Sequence, residues 1–78
     1  MGRRRKLDPS RQRIARNVAV LRAARGYTQY ELGQLAGSHR TFIGAVERAE
    51  VNISIDNVDR IALALSVDPV VLLAPQER

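Results

Sequence analysis

Apolar positions recur along this chain at helical spacing and nowhere at spacing two. Ile14, Val18 and Leu21 mark one face of a first helix, with Arg11, Arg13, Arg16 and Arg25 largely off it. Leu32, Leu35 and Ala36 mark a second helix, and Ile43 and Val46 a third. Ile55, Val58, Ile61, Ala62 and Leu65 give a fourth its buried stripe. The unbroken apolar run at 70–73 is a short fifth element. The pattern predicts an all-α domain of five helices and no sheet.

The residues between these runs are helix starts and stops. Asp8 and Pro9 read as an N-cap and a first helical position, and Gly26 ends that helix. Thr28 with Glu31 three positions on is a capping box, and Gly37 supplies the left-handed residue that closes a helix. Residues 49–53 form a loop. Ser54 is an N-cap with Asp56 in the favourable first turn, and Ser66 and Val67 close that helix. Asp68-Pro69 repeats the cap-and-proline signal and starts a helix over 70–74, which Pro75 stops. Residues 1–7 are expected to be a flexible basic arm, 8–75 the domain and 76–78 a tail.

The second and third helices are the informative pair. Two short helices joined by a Gly-containing turn of about three or four residues are the sequence form of a helix–turn–helix. The later helix carries Arg40, Thr41 and Arg48 away from its Ile43/Val46 face, which makes it the candidate reader of DNA. Gly33 and Gly44 lie inside these helices and each costs about 1 kcal/mol relative to Ala. Gly33 is expected where crossing backbones approach. Gly44 has no packing reason in the pattern, and leaves room beside a DNA backbone.

Charge strengthens that expectation. The net charge of +5 is uneven: nine of the thirteen Lys and Arg, against Asp8 alone, give the first thirty residues +8 and leave the rest at −3. A basic end on a slightly acidic body suits a polyanion on one side and a partner on the other. With 78 residues a single core only just suffices. There is no Cys, and the lone His39 makes no metal cluster, so no cofactor or metal site is expected. No nucleophile-and-base pair and no Gly-rich phosphate loop points to an enzyme. No apolar run approaches the ~18 residues of a membrane span, and the basic N-terminus lacks the apolar segment of a signal peptide. The expectation is a cytoplasmic protein of bacterial or phage type, helped by dimerisation.

Ile14, Leu21, Arg22, Arg25, Gly26, Thr28, Gln29, Leu32, Ala36, Gly37, Arg40, Ile43, Val46 and Glu47 together resemble the phage repressor and Cro type of helix-turn-helix, the xenobiotic-response-element family. Ile61-Ala62-Leu63-Ala64-Leu65 followed by Val67 resembles its fourth helix. Within that family, His39-Arg40-Thr41-Phe42-Ile43, Val46-Glu47-Arg48 and Asn52-Ile53-Ser54 look most like restriction–modification controller proteins. The chain departs from them in Ala49 for a usual Gly, Val51 for a frequent basic residue and Gly44 for a common Ser.

The resemblance implies a homodimeric regulator that activates at low dose and represses at high dose. Its partners would be palindromic or repeated double-stranded operators, a second copy of the chain and RNA polymerase. It also implies roles. Arg40 would donate two bonds to guanine O6 and N7, and Thr41 would offer its hydroxyl or methyl to a base. Phe42 would meet thymine methyls or sugars, or pack into the domain. Ala45 would add a small apolar contact, and Arg48 would reach a base or phosphate, or sit solvated at the helix end. Thr28, Gln29, His39, Asn52 and Ser54 would face phosphates, with Thr28 and His39 also capping. The basic arm would add phosphate or minor-groove contacts. Arg22 and Glu47 fit the family's ion pair between the first and third helices. Val70, Val71 and Leu73 are candidates for the dimer interface, against simple core packing of the last helix, and Leu72 is expected to turn inward. An antitoxin that represses its own operon is the rival reading, and a protein-binding module of the coactivator sort is a third.

Overall fold

The computed structural model describes residues 9–75. Five helices follow one another: α1 (Ser10–Ala24), α2 (Gln29–Ala36), α3 (Arg40–Glu47), α4 (Ile55–Ala64) and α5 (Pro69–Leu73), with no strand among the described residues. The all-α class and the helix count match the expectation from apolar spacing. The arm at 1–7, the Asp8 cap and the tail at 76–78 lie outside the described residues.

One core joins all five helices. Ile14 and Val18 of α1, Leu32 and Ala36 of α2, Ile43 and Val46 of α3, Val58, Ile61 and Ala62 of α4 with Leu65 at its C-cap, and Leu72 of α5 form a single buried cluster. Leu21, Phe42, Val51, Ile53 and Val67 pack against it, half-buried. Leu72 is the α5 residue that turns inward, fully buried.

Two apolar positions do not go where periodicity placed them. Leu35 is 56% exposed, because the buried arc of α2 runs through Leu32, Gly33 and Ala36. Gly33 takes the inward place because the following turn lies directly on its backbone: a Cβ there would sit 2.6 Å from Ser38 O. Ile55, the first residue of α4, is 73% exposed, while Val51 and Ile53 of the preceding loop pack against the core. Two boundaries also shift. Pro9 is the N-cap residue of α1 rather than its first helical position, and α5 begins at Pro69 and ends at Leu73.

The four longer helices end in the same way. After α1, Gly26 N–H bonds Ala23 O and Tyr27 N–H bonds Arg22 O; after α2, Gly37 and Ser38 do so to Gln34 O and Gly33 O. This paired closure requires a left-handed residue, supplied by Gly26 and Gly37. After α3 and α4 it is made by Ala49 at φ 59° and Ser66 at φ 60°. α5 is too short to satisfy its own carbonyls and is held from α1: Asn17 Nδ2 lies 2.9 Å from Leu72 O and Ala74 O, and Arg13 Nη1 lies 3.3 Å from Leu73 O.

Ala49 stands in backbone geometry that costs an L-residue roughly 1–2 kcal/mol, of which glycine's greater unfolded freedom returns about half. Ala49→Gly is therefore expected to stabilise the domain by about 0.5–1 kcal/mol, or ~2–8 °C in Tm by calorimetry. A lowered Tm would mean that the Ala49 methyl makes a compensating contact.

Candidate nucleic-acid interface

The candidate reading helix is fixed at both ends. Upstream, the Thr28 hydroxyl oxygen accepts from Glu31 N–H at 3.0 Å and the Glu31 carboxylate accepts from Thr28 N–H at 2.8 Å, which sets the start of α2. Gly37 then turns the chain, and Ser38 N–H to Gly33 O, at 2.7 Å, ties the turn to α2. His39 caps α3: its Nδ1 accepts from Thr41 N–H at 3.0 Å, which leaves the proton of the neutral ring on Nε2.

The downstream end is fixed by a carboxylate. Glu47, in the last turn of α3, has a side chain only 8% exposed. Arg22 donates to it twice, Nε to Oε2 at 2.6 Å and Nη2 to Oε1 at 3.1 Å, and Gln29 Nε2 donates to Oε1 at 3.0 Å. Arg22 Nη1 also reaches Tyr27 O at 2.8 Å. The Glu47 carboxylate thus ties α1 and α2 to α3, and Arg22 extends the tie to the loop between them through Tyr27 O. The hydrogen bond to Glu47 raises the Arg22 pKa above its ordinary value, against the opposing effect of burial.

Between these anchors α3 has two faces. Ile43 and Val46 are buried, while Arg40 and Thr41 are exposed and Ala45 half-exposed on the other side. Phe42 is half-buried and packs against the core, which accounts for its position without DNA. Arg48 is exposed and pairs with Glu50 at 3.0 Å, a surface pair of little energetic weight. Gly44 is covered rather than open: a Cβ there would meet Arg48 Nη1 at 3.1 Å and Gln29 Oε1 at 3.3 Å, so its missing side chain makes room for theirs.

The flanking residues divide. Thr28, His39 and Ser54 are exposed N-caps, and the Ser54 oxygen accepts from Asn57 N–H at 3.1 Å. Both hydroxyls keep a proton to donate outward. Asn52 is exposed in the loop after α3, where its Oδ1 accepts from Arg11 Nη2. Gln29, expected to face a phosphate, donates from its side-chain amide to Glu47. Sequence reasoning missed both Gln29 as a third member of the ion-pair network and Arg11 as a neighbour of Asn52, and no local pattern signals either. Val70 is 65%, Val71 38% and Leu73 37% exposed on α5, and Leu63 is 79% exposed on α4. Among the described residues no group of His, Cys, Asp or Glu could hold a metal ion, and no helix is long and apolar enough to cross a membrane.

A short helix, a tight glycine turn and a second helix with an exposed basic face define a helix–turn–helix domain. The chain belongs to the helix-turn-helix family, whose pattern matches residues 18–72. It is 41% identical over 66 residues to a Neisseria hypothetical transcription factor from Neisseria meningitidis serogroup B, covering 83% of this chain and 62% of that protein. It is 36% identical over 63 residues to control protein C.SmaI of Serratia marcescens, covering 81% and 75% of the two. The crystal structure of the restriction-modification controller protein C.AhdI from Aeromonas hydrophila superposes with a TM-score of 0.77 at 34% identity, covering 80% of this chain and 94% of that one. In sequence and fold the chain resembles restriction–modification controllers.

Removing one partner of a largely buried ion pair leaves the other uncompensated. Arg22→Met and Glu47→Leu are each expected to cost about 3 kcal/mol in denaturant unfolding, and the double variant less than the sum of the two. Additive losses would show that the two side chains act independently.

Proposed function

We propose that this chain is a sequence-specific regulator of transcription of the restriction–modification controller type, binding palindromic or repeated double-stranded operators as a homodimer. The observation that carries the reading is the two-sided α3, capped at one end and tied to α1 and α2 at the other, with Arg40 and Thr41 on its free face. Such a helix enters the major groove with its N-terminal residues toward the base edges. Arg40 then supplies the bidentate contact to guanine, Thr41 a hydroxyl or methyl contact, and Ala45 a small apolar one. Arg48, released from its exposed pair with Glu50, reaches a base or phosphate farther along.

Phosphates are met on both sides of α3. Thr28, the free N–H of Gln29 and His39 Nε2 serve one side, Asn52 and Ser54 the other. The basic arm adds contacts that weaken steeply with salt. Val70, Val71 and Leu73 of α5 form the subunit contact. RNA polymerase is the further partner of an activating regulator. The controller reading is preferred to the antitoxin because the named relatives include control proteins.

Footprinting upstream of the protein's own gene is expected to reveal a protected symmetric or repeated site. Arg40→Ala is expected to reduce the preference for that site over random duplex about tenfold to a hundredfold at matched salt, with the fold unchanged. Equal affinities of the unaltered protein for the two duplexes would overturn specific readout. For the dimer, Val70→Asp is expected to sediment as a monomer with unchanged helical content. An unchanged dimer mass would move the interface elsewhere.

A further inference from the structure

Asn52, in the loop after α3, shares a hydrogen bond with Arg11, in the first turn of α1, although 41 residues separate them. Both side chains are exposed. A solvated bond between two long-range surface partners contributes little to stability, so holding the fold is a weak reason for it.

A carboxamide is ambiguous toward a phosphodiester. Its NH2 can donate to a phosphate oxygen, whereas its carbonyl oxygen repels one, and free rotation presents either. In this structure the Arg11 guanidinium occupies Asn52 Oδ1, so the amide is left with its donor side outward. Arg11 keeps most of its own N–H donors in the same place. Arg11, with Pro9, Ser10 and Gln12, also borders a shallow concavity closed by Ala49, the residue just beyond the end of α3. The pair therefore lies at the C-terminal end of the reading helix. Glu50, the acid in that loop, is engaged by Arg48, and the first turn of α1 holds no acidic residue to favour its dipole.

We infer that Arg11 and Asn52 form a clamp for one backbone phosphate of the bound duplex. Arg11 orients the Asn52 amide and donates to the same phosphate, so the two act as a unit flanking the groove that α3 enters. The clamp rests on the DNA-binding reading above and adds a residue from α1 to it.

The test is fluorescence anisotropy with the full chain, on operator and random duplexes of equal length, across a salt series. Arg11→Met is expected to weaken both duplexes by the same factor, about tenfold, and to lower the slope of log affinity against log salt by about one. Asn52→Ala is expected to cost much less in the Arg11→Met background than alone, because its amide is no longer oriented. Arg11→Gln, which keeps a donor but no charge, should lower the salt slope by the same amount, about one, yet retain part of the coupling to Asn52. An unchanged affinity and slope in Arg11→Met, strictly additive Arg11 and Asn52 effects, or a loss confined to the operator would each overturn the clamp. Arg40→Ala supplies the contrast, since it should lose operator preference and keep the salt slope. If the unaltered protein binds neither duplex, the proposed function fails and the clamp with it. If it binds and only the Arg11 variants are silent, the clamp alone fails.

Discussion

Everything that orients the exposed face of α3 converges on Glu47. A carboxylate in the last turn of a helix opposes the helix dipole, so the position is unfavourable until a cation answers it. Arg22 answers it with two hydrogen bonds in fork geometry, and Gln29 adds a third. Because these come from the end of α1 and the start of α2, the bonds fix the rotation of α3 about its own axis. A helix anchored only by Ile43 and Val46 could roll on a greasy surface. One tied to a fork could not.

The turn between α2 and α3 complements that anchor by excluding side chains where backbones must touch. Gly33 accepts the turn at van der Waals distance, and Gly37 reverses the chain in left-handed geometry. His39 then begins α3 with a ring nitrogen rather than the usual hydroxyl or carboxylate. The exposed residues that follow are thus presented from a rigid frame, which is what recognition of a stiff duplex requires.

The parts of the molecule that were legible in the sequence are those whose bonds are local. The caps at Thr28, Ser54 and Asp68 join residues two or three apart, so the pattern that encodes them is contiguous. The five helices and the inward turn of Leu72 followed from periodicity. Periodicity did not decide Leu35 and Ile55, because whether an apolar position is covered depends on what packs beside it. Gln29 meets Glu47 across 18 residues and Arg11 meets Asn52 across 41, and neither spacing leaves a trace in the chain. The Arg22–Glu47 pair was expected through family resemblance, not through any spacing of its own.

α5 has a different standing from the other helices. Its carbonyl ends are gathered by Asn17 and Arg13, so its place is set by α1 rather than by its own length. The surface formed by Val70, Val71 and Leu73 can therefore be seated only once α1 is folded to receive it, so the exposed apolar face of the last helix exists only as a product of the first.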